Sequence, residues 1–261
     1  MWKVEGIQRL FFYGCSFTAG AELFDDIELC RNHAWPATVC KELGIKLVNR
    51  ASGGNGIDRM KSQFLRDVVD GEFQPSDGVV IGSTMIWREM HFHSVWPPHM
   101  EHKNDMNKGD SWSEDIAHRY FRVNKNSKFA DKYSELKNTY YFIHNYWNAL
   151  HDIFLISNEQ NIPIWFVPSL EPISLDHTFS PITEKFYGKK YNPDIQFLKK
   201  HIDTYEFVEN LRYIEKKLDK YIVDTTCLAD PTINVDPMPR GHPNMKVHEM
   251  FGKHISEILR N

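Results

Sequence analysis

The sequence predicts an α/β fold with a mainly parallel sheet between helices. Three observations lead there. Short apolar runs of strand length end in glycine-containing turns at Gly14, Gly53-Gly54 and Gly82. Stretches with apolar residues every three or four positions separate most of these runs, and such βαβ alternation calls for parallel strands with helices on both faces. Finally, 41% hydrophobic and 13% aromatic residues in a chain of 261 supply an ample core, while 25% charged residues is ordinary, so intrinsic disorder is excluded.

Five strands are expected, at Leu10–Tyr13, Lys46–Val48, Val79–Ile81, Pro163–Val167 and Lys220–Val223. The first, Leu10-Phe11-Phe12-Tyr13, has the bulk of a strand buried on both faces, and Gly14 marks its turn. Ser16 then stands at the strand's carboxyl end, where free N–H groups at a helix start favour developing negative charge. Capping by Ser16 or Thr18 is the plainer use of such a turn. The second strand runs into Ala51-Ser52-Gly53-Gly54-Asn55-Gly56 and a helix, and the third into Gly82-Ser83-Thr84. Ligands in parallel sheets bind outside the carboxyl ends of the strands, so Ser16, Gly54 and Thr84 are expected on one edge.

Met90 to about Asn126 shows little apolar periodicity and is too long for an ordinary connection. It is expected to line the cleft as an insertion within a single domain spanning 1–261. A long helix is expected from about Asp131 to Glu159, with Leu136, Tyr140, Ile143, Trp147, Leu150 and Phe154 on one face. After a loop at Leu170 to Asn192, Phe197, Ile202, Phe207, Leu211, Ile214 and Leu218 mark a further helix. Arg240-Gly241-His242-Pro243-Asn244 precedes a last helix with Val247, Phe251, Ile255 and Ile258 on one face, which leaves His242 free to project into a cleft. His248, inside that helix, is read as packing or support.

These segments, in this order, resemble the SGNH hydrolases, also called the GDSL esterase and lipase family. The resemblance implies a three-layer, flavodoxin-like α/β fold and ester hydrolysis through an acyl-enzyme, without cofactor or metal. Ser16 matches the family's nucleophile, with Cys15 where Asp is usual. Gly54 matches the oxyanion-hole glycine when Asn49 is aligned with the asparagine opening that block, with Gly53 the adjacent alternative. Gly82-Ser83-Thr84 lies over a Gly-x-Asn, so Thr84 replaces the asparagine. His242 matches the catalytic histidine. The Asp expected three residues before it is replaced by Pro239, and Asp236, the nearest acid, reaches the imidazole only if a loop with two prolines folds back. The oxyanion hole is thus expected from the Ser16 and Gly54 amides and the Thr84 hydroxyl. Asn55, Trp87 and Trp96 are the substrate-binding candidates. Gly-Cys-Ser-Phe-Thr with Ser-Thr-x-x-Trp-Arg-Glu is similar to a divergent branch met among tailed-phage proteins.

The implied substrate is a carbohydrate or small-molecule O-acyl ester, commonly an acetyl ester. Transfer of the acyl group to an acceptor alcohol, or a non-catalytic carbohydrate-binding or phage structural role on a degraded site, are the alternatives. A net charge of −4 without a basic stripe disfavours nucleic acid as a partner. No apolar run has the length of a membrane span, and Met1 to Gly14 lacks the features of a secretory signal, so a soluble, cytoplasmic product is expected, for which the resemblance also implies a phage association. Oligomeric state is left open by the sequence. Cys15, Cys30, Cys40 and Cys227 have neither metal spacing nor scaffold density and read as free thiols. Cys15 is the rival nucleophile, but neighbours on an extended strand end point oppositely. His91, His93, His99 and His102 do not form a matched zinc-ligand spacing. The Ser-Gly-Gly-Asn-Gly turn lacks the lysine of a phosphate loop and the spacing of a dinucleotide turn.

Overall fold

The computed structural model describes residues 4–84, 91–92, 118–119, 139–175, 206–239 and 241–261. Strand β1 (Arg9–Tyr13) leads through α1 (Ser16–Ala19), α2 (Ile27–His33) and α3 (Trp35–Leu43) to β2 (Lys46–Asn49). Helix α4 (Ile57–Val69) and β3 (Asp77–Gly82) follow, then a two-residue antiparallel pair, β4 (His91–Phe92) with β5 (His118–Arg119). Helix α5 (Thr139–Glu159), β6 (Ile164–Val167), α6 (Glu206–Leu218), a 3₁₀ turn (Asp219–Tyr221) and α7 (Met245–Arg260) complete the described chain.

The main sheet is parallel, in the order β2-β1-β3-β6, so the chain starts at an inner strand and winds outward both ways. Registers such as Phe11 with both Val48 and Val79 put aromatic and β-branched residues side by side. At the amino edge Arg9 grips Asp77 with two hydrogen bonds, from Nε at 2.8 Å and from a terminal nitrogen at 2.5 Å, fixing the β1–β3 register.

Alternation along β1 sorts the layers. Phe12 meets Trp35 of α3 edge-on at 5.4 Å, and Trp35 meets Phe251 of α7 in the same way. Phe11 and Tyr13 point to the opposite face, where Phe73 and Phe64 of α4 receive them at 4.7 and 6.0 Å. Helices α3 and α7 therefore cover one face and α4 with α5 the other, a three-layer sandwich whose largest fully buried side chains include Trp35, Trp147 and Trp165.

Four of the five expected strands form. The fifth, Lys220–Val223, does not. Helix α6 tightens into the 3₁₀ turn over those residues, and the Ile222 amide is taken by Leu218 and Asp219 carbonyls at 3.1 and 3.2 Å. One parallel bridge, Phe166 with Ile222, and one bond from Val223 N–H to the Phe166 carbonyl at 2.8 Å remain on the β6 edge. On α7 the buried face is Val247, Phe251, Ile255 and Leu259; Ile258, expected there, is only half-buried. The expected starts of α5 and α6 lie outside the described residues, as does the Met90 to Asn126 segment apart from the backbone of β4 and β5.

Candidate active site

Cys15 caps α1 with extended backbone (φ −95°, ψ −161°), and its carbonyl accepts from the Thr18 and Ala19 amides at 3.0 and 2.9 Å. Ser16 is therefore the first helical residue, with its amide pointing out of the helix start. The Cys15 thiol is fully buried and turned inward, 3.8 Å from the Ser83 carbonyl, whereas Ser16 keeps some exposure. Thr18 is wedged between the ends of β1 and β3: a Cβ at Gly14 or at Gly82 would lie 2.2 or 2.3 Å from its hydroxyl. The glycines at both strand ends are thus demanded by close approach.

The glycine-rich turn is tied to this corner from several sides. The Gly14 carbonyl accepts from Ser52 N–H at 3.2 Å and Asn55 Nδ2 at 3.1 Å. Asn49 Oδ1 accepts from the Ala51 amide at 3.0 Å, and the buried Arg31 guanidinium clasps the Ala51 carbonyl at 3.1 and 2.8 Å. Gly54 occupies the left-handed region (φ 76°) and, like Gly53, is exposed. Its amide meets no backbone carbonyl among the described residues.

Two of the expected site residues are hydrogen-bonded within the fold. The Thr84 hydroxyl donates to the Asn55 carbonyl at 2.8 Å. That bond joins the second and third turns. Asn55, expected to face substrate, is fully buried, with its side-chain amide on Gly14 and, at 3.4 Å, on Gln63. Ser83 braces the same edge: its hydroxyl donates to the Glu171 carbonyl at 2.6 Å and accepts from the Leu170 and Glu171 amides at 3.0 Å.

His242 enters from the loop before α7. Asn244 caps that helix, accepting from Val247 N–H at 3.1 Å, and its Nδ2 holds the Asp236 carbonyl at 2.7 Å. The Met238 amide bonds the His242 carbonyl at 2.7 Å, closing the loop. The His242 ring lies 5.1 Å from the Phe17 ring, next to Ser16 in sequence, which brings the histidine to the serine turn. Among the described residues no hydrogen bond joins Ser16 Oγ to His242 itself.

Among the described residues no hydrogen bond joins the Asp236 side chain to the imidazole. Its side chain is exposed, because the loop is closed through its backbone. His242 Nδ1 is instead 2.8 Å from Glu22 Oε2, with both side chains less than a fifth exposed. Sequence reasoning missed Glu22; its signal was only the vacancy left by Pro239 and an acid shortly after the serine. Trp87 and Trp96, and the side chains of His91, His93, His99 and His102, lie outside what is described.

His248, also on α7, is fully buried, and its Nδ1 accepts from the Trp35 amide at 3.2 Å. Burial, with His242 nearby as a lesser cause, pushes it down to about 3, so it is neutral. All four cysteines are free and buried, and burial pushes Cys40 up to about 12 and Cys227 up to about 11. Among the described residues no group of three or more His, Cys, Asp or Glu side chains is placed to hold a metal ion, and no helix is long and apolar enough to cross a membrane.

No protein-family model and no curated protein matches the sequence. Solved structures do match. The psychrotrophic esterase EstA from Pseudoalteromonas sp., inhibited by monoethylphosphonate, is 10% identical, aligns over 97% of this chain and 97% of its own, and has a TM-score of 0.50. A lipolytic protein of the G-D-S-L family from Desulfitobacterium hafniense DCB-2 is 12% identical over 96% of this chain and 99% of its own, with a TM-score of 0.47. A member of that family from Veillonella parvula DSM 2008 is 10% identical over 96% and 97%, with a TM-score of 0.46. At these identities the likeness is one of fold. The chain shares a three-layer α/β fold, with a parallel sheet between helices, with the Pseudoalteromonas esterase.

Proposed function

We propose that this chain is a serine ester hydrolase that works through an acyl-enzyme on Ser16. The observation that carries the reading is the meeting of two distant segments at the carboxyl edge of the sheet: the Ser16 turn after β1, and His242, whose ring packs on Phe17 at 5.1 Å. Ser16 attacks the ester carbonyl while His242 Nε2 takes its proton; the same proton then goes to the leaving alcohol, and water repeats the sequence on the acyl-enzyme. The tetrahedral oxygen is held by the Ser16 and Gly54 amides. With Thr84 tied to Asn55, this oxyanion hole is built from backbone alone.

The substrate is a small or carbohydrate O-acyl ester, and the chemistry needs no cofactor. The residues between β4 and β5, with their tryptophans and histidines, are the source of alcohol selectivity in this reading. The phosphonate inhibition of the Pseudoalteromonas esterase suggests the test. A phosphonate ester should label Ser16, and Ser16→Ala should abolish both labelling and turnover of p-nitrophenyl acetate with an unchanged circular dichroism spectrum. Cys15→Ser should retain most activity; the reverse ranking would transfer the chemistry to the thiol.

A further inference from the structure

The loop after α1 turns left-handed twice, at Gly20 (φ 71°) and at Glu22 (φ 73°). Glycine adopts that region freely, but on glutamate it brings Cβ against the carbonyl. Among the described residues only Glu22 and Asn161 do this without being glycine, and asparagine tolerates it far better. A strained backbone at an unsuited residue is kept where the side chain it aims has a use. Here it aims the carboxylate at His242 Nδ1, 2.8 Å away.

The chemistry of that contact sets the ring. An ionised carboxylate only accepts, so the proton of neutral His242 resides on Nδ1 and the Nε2 lone pair is left for the serine proton. Phe17 packs on the same ring, and Ser16, Phe17 and Glu22 all belong to one short stretch after β1. Asp236, by contrast, is exposed and engaged through its backbone.

We propose that Glu22 is the positioning acid for His242, supplying from the nucleophile's own loop what an aspartate at position 239 would otherwise supply. This rests on the esterase reading of Ser16 and His242. When Nε2 takes the serine proton, the imidazolium keeps its Nδ1 proton on the Glu22 carboxylate, and Glu22 itself stays ionised.

Four variants test it: Glu22→Gln, Glu22→Gly, Glu22→Asp and Asp236→Asn. With p-nitrophenyl acetate, Glu22→Gln should lose about 100-fold or more in kcat with KM little changed. Glu22→Asp should recover part of that loss, and Asp236→Asn should stay within about threefold of the parent, a margin small beside the effect of an orienting acid. Glu22→Gly also frees the left-handed backbone; it should lose kcat like Glu22→Gln while its melting temperature holds or rises. A purely structural ion pair would instead make that variant melt lower without moving kcat. Ring-nitrogen NMR of His242 gives a readout independent of turnover: the parent should hold its proton on Nδ1, and Glu22→Gly should shift toward the Nε2 form. An active parent, an inactive Ser16→Ala and a Glu22→Gln within about threefold of the parent would overturn the role of Glu22 alone. Equal turnover by the parent and Ser16→Ala would overturn the esterase reading beneath it, and an unchanged His242 signal in Glu22→Gly would overturn the proposed geometry.

Discussion

At the residue scale, the site is a set of short polar ties around a few exposed groups. Thr84 illustrates how a position matching a catalytic asparagine takes another use. A threonine hydroxyl is shorter than a carboxamide, and here it donates to the Asn55 carbonyl at 2.8 Å. Thr84→Val keeps the shape and removes that donor, so it should destabilise the fold by about 1–3 kcal/mol, the cost of a buried carbonyl losing its partner. Thr84→Ser should restore most of it. Urea midpoints of the three proteins check this, and a stable but slow Thr84→Val would return the hydroxyl to the oxyanion. Cys15, expected from alternation to turn away from Ser16, has its thiol fully buried, 3.8 Å from the Ser83 carbonyl.

At the scale of elements, α7 and α3 form one face of the sandwich and meet through Trp35, Phe251 and His248. His248 is neutral because burial lowers it to about 3, whereas an unfolded histidine titrates near 6.5. The unfolded chain therefore binds the proton first. Stability should fall as pH drops through the interval from about 6.5 toward 3, with a slope approaching 1.4 kcal/mol per pH unit from this group, and be insensitive to it above pH 7. Replacing the imidazole by an amide, His248→Gln, should flatten the slope between pH 7 and 5, where few carboxylates titrate. Urea midpoints across that range give the measurement, and equal slopes would mean that His248 is charged in the folded protein. The missing fifth strand also belongs to this scale. Lys220–Val223 has strand-like residues, but a helix arriving with two orphan carbonyls captures the Ile222 amide before a ladder can.

At the scale of the whole molecule, the parallel order β2-β1-β3-β6 brings the ends of β1, β2 and β3 to one edge, with the His242 loop returning to it from the far end of the chain. The backbone pair of β4 and β5 sits just beyond β3 in sequence, with Phe92 opposite His118, so residues 93–117 can be replaced by an Asn-Gly turn that matches a hairpin. If that segment selects the alcohol, the shortened protein should lose about tenfold or more in kcat/KM on an acetylated sugar, ~1.4 kcal/mol of transition-state binding, while keeping its rate on p-nitrophenyl acetate. Equal losses on both substrates would point to general destabilisation. The α/β class, four strands, most of the described helix faces, the free thiols and the position of Ser16 at a strand end were legible in the sequence, because local periodicity and turn chemistry decide them. What only the tertiary structure decided was which polar groups meet: Thr84 with Asn55, Asn55 with Gly14, Asp236 through its backbone with Asn244, and Glu22 with His242. Those contacts join residues up to 220 positions apart, and a hydrogen bond depends on distances and directions in space that no periodicity along the chain encodes.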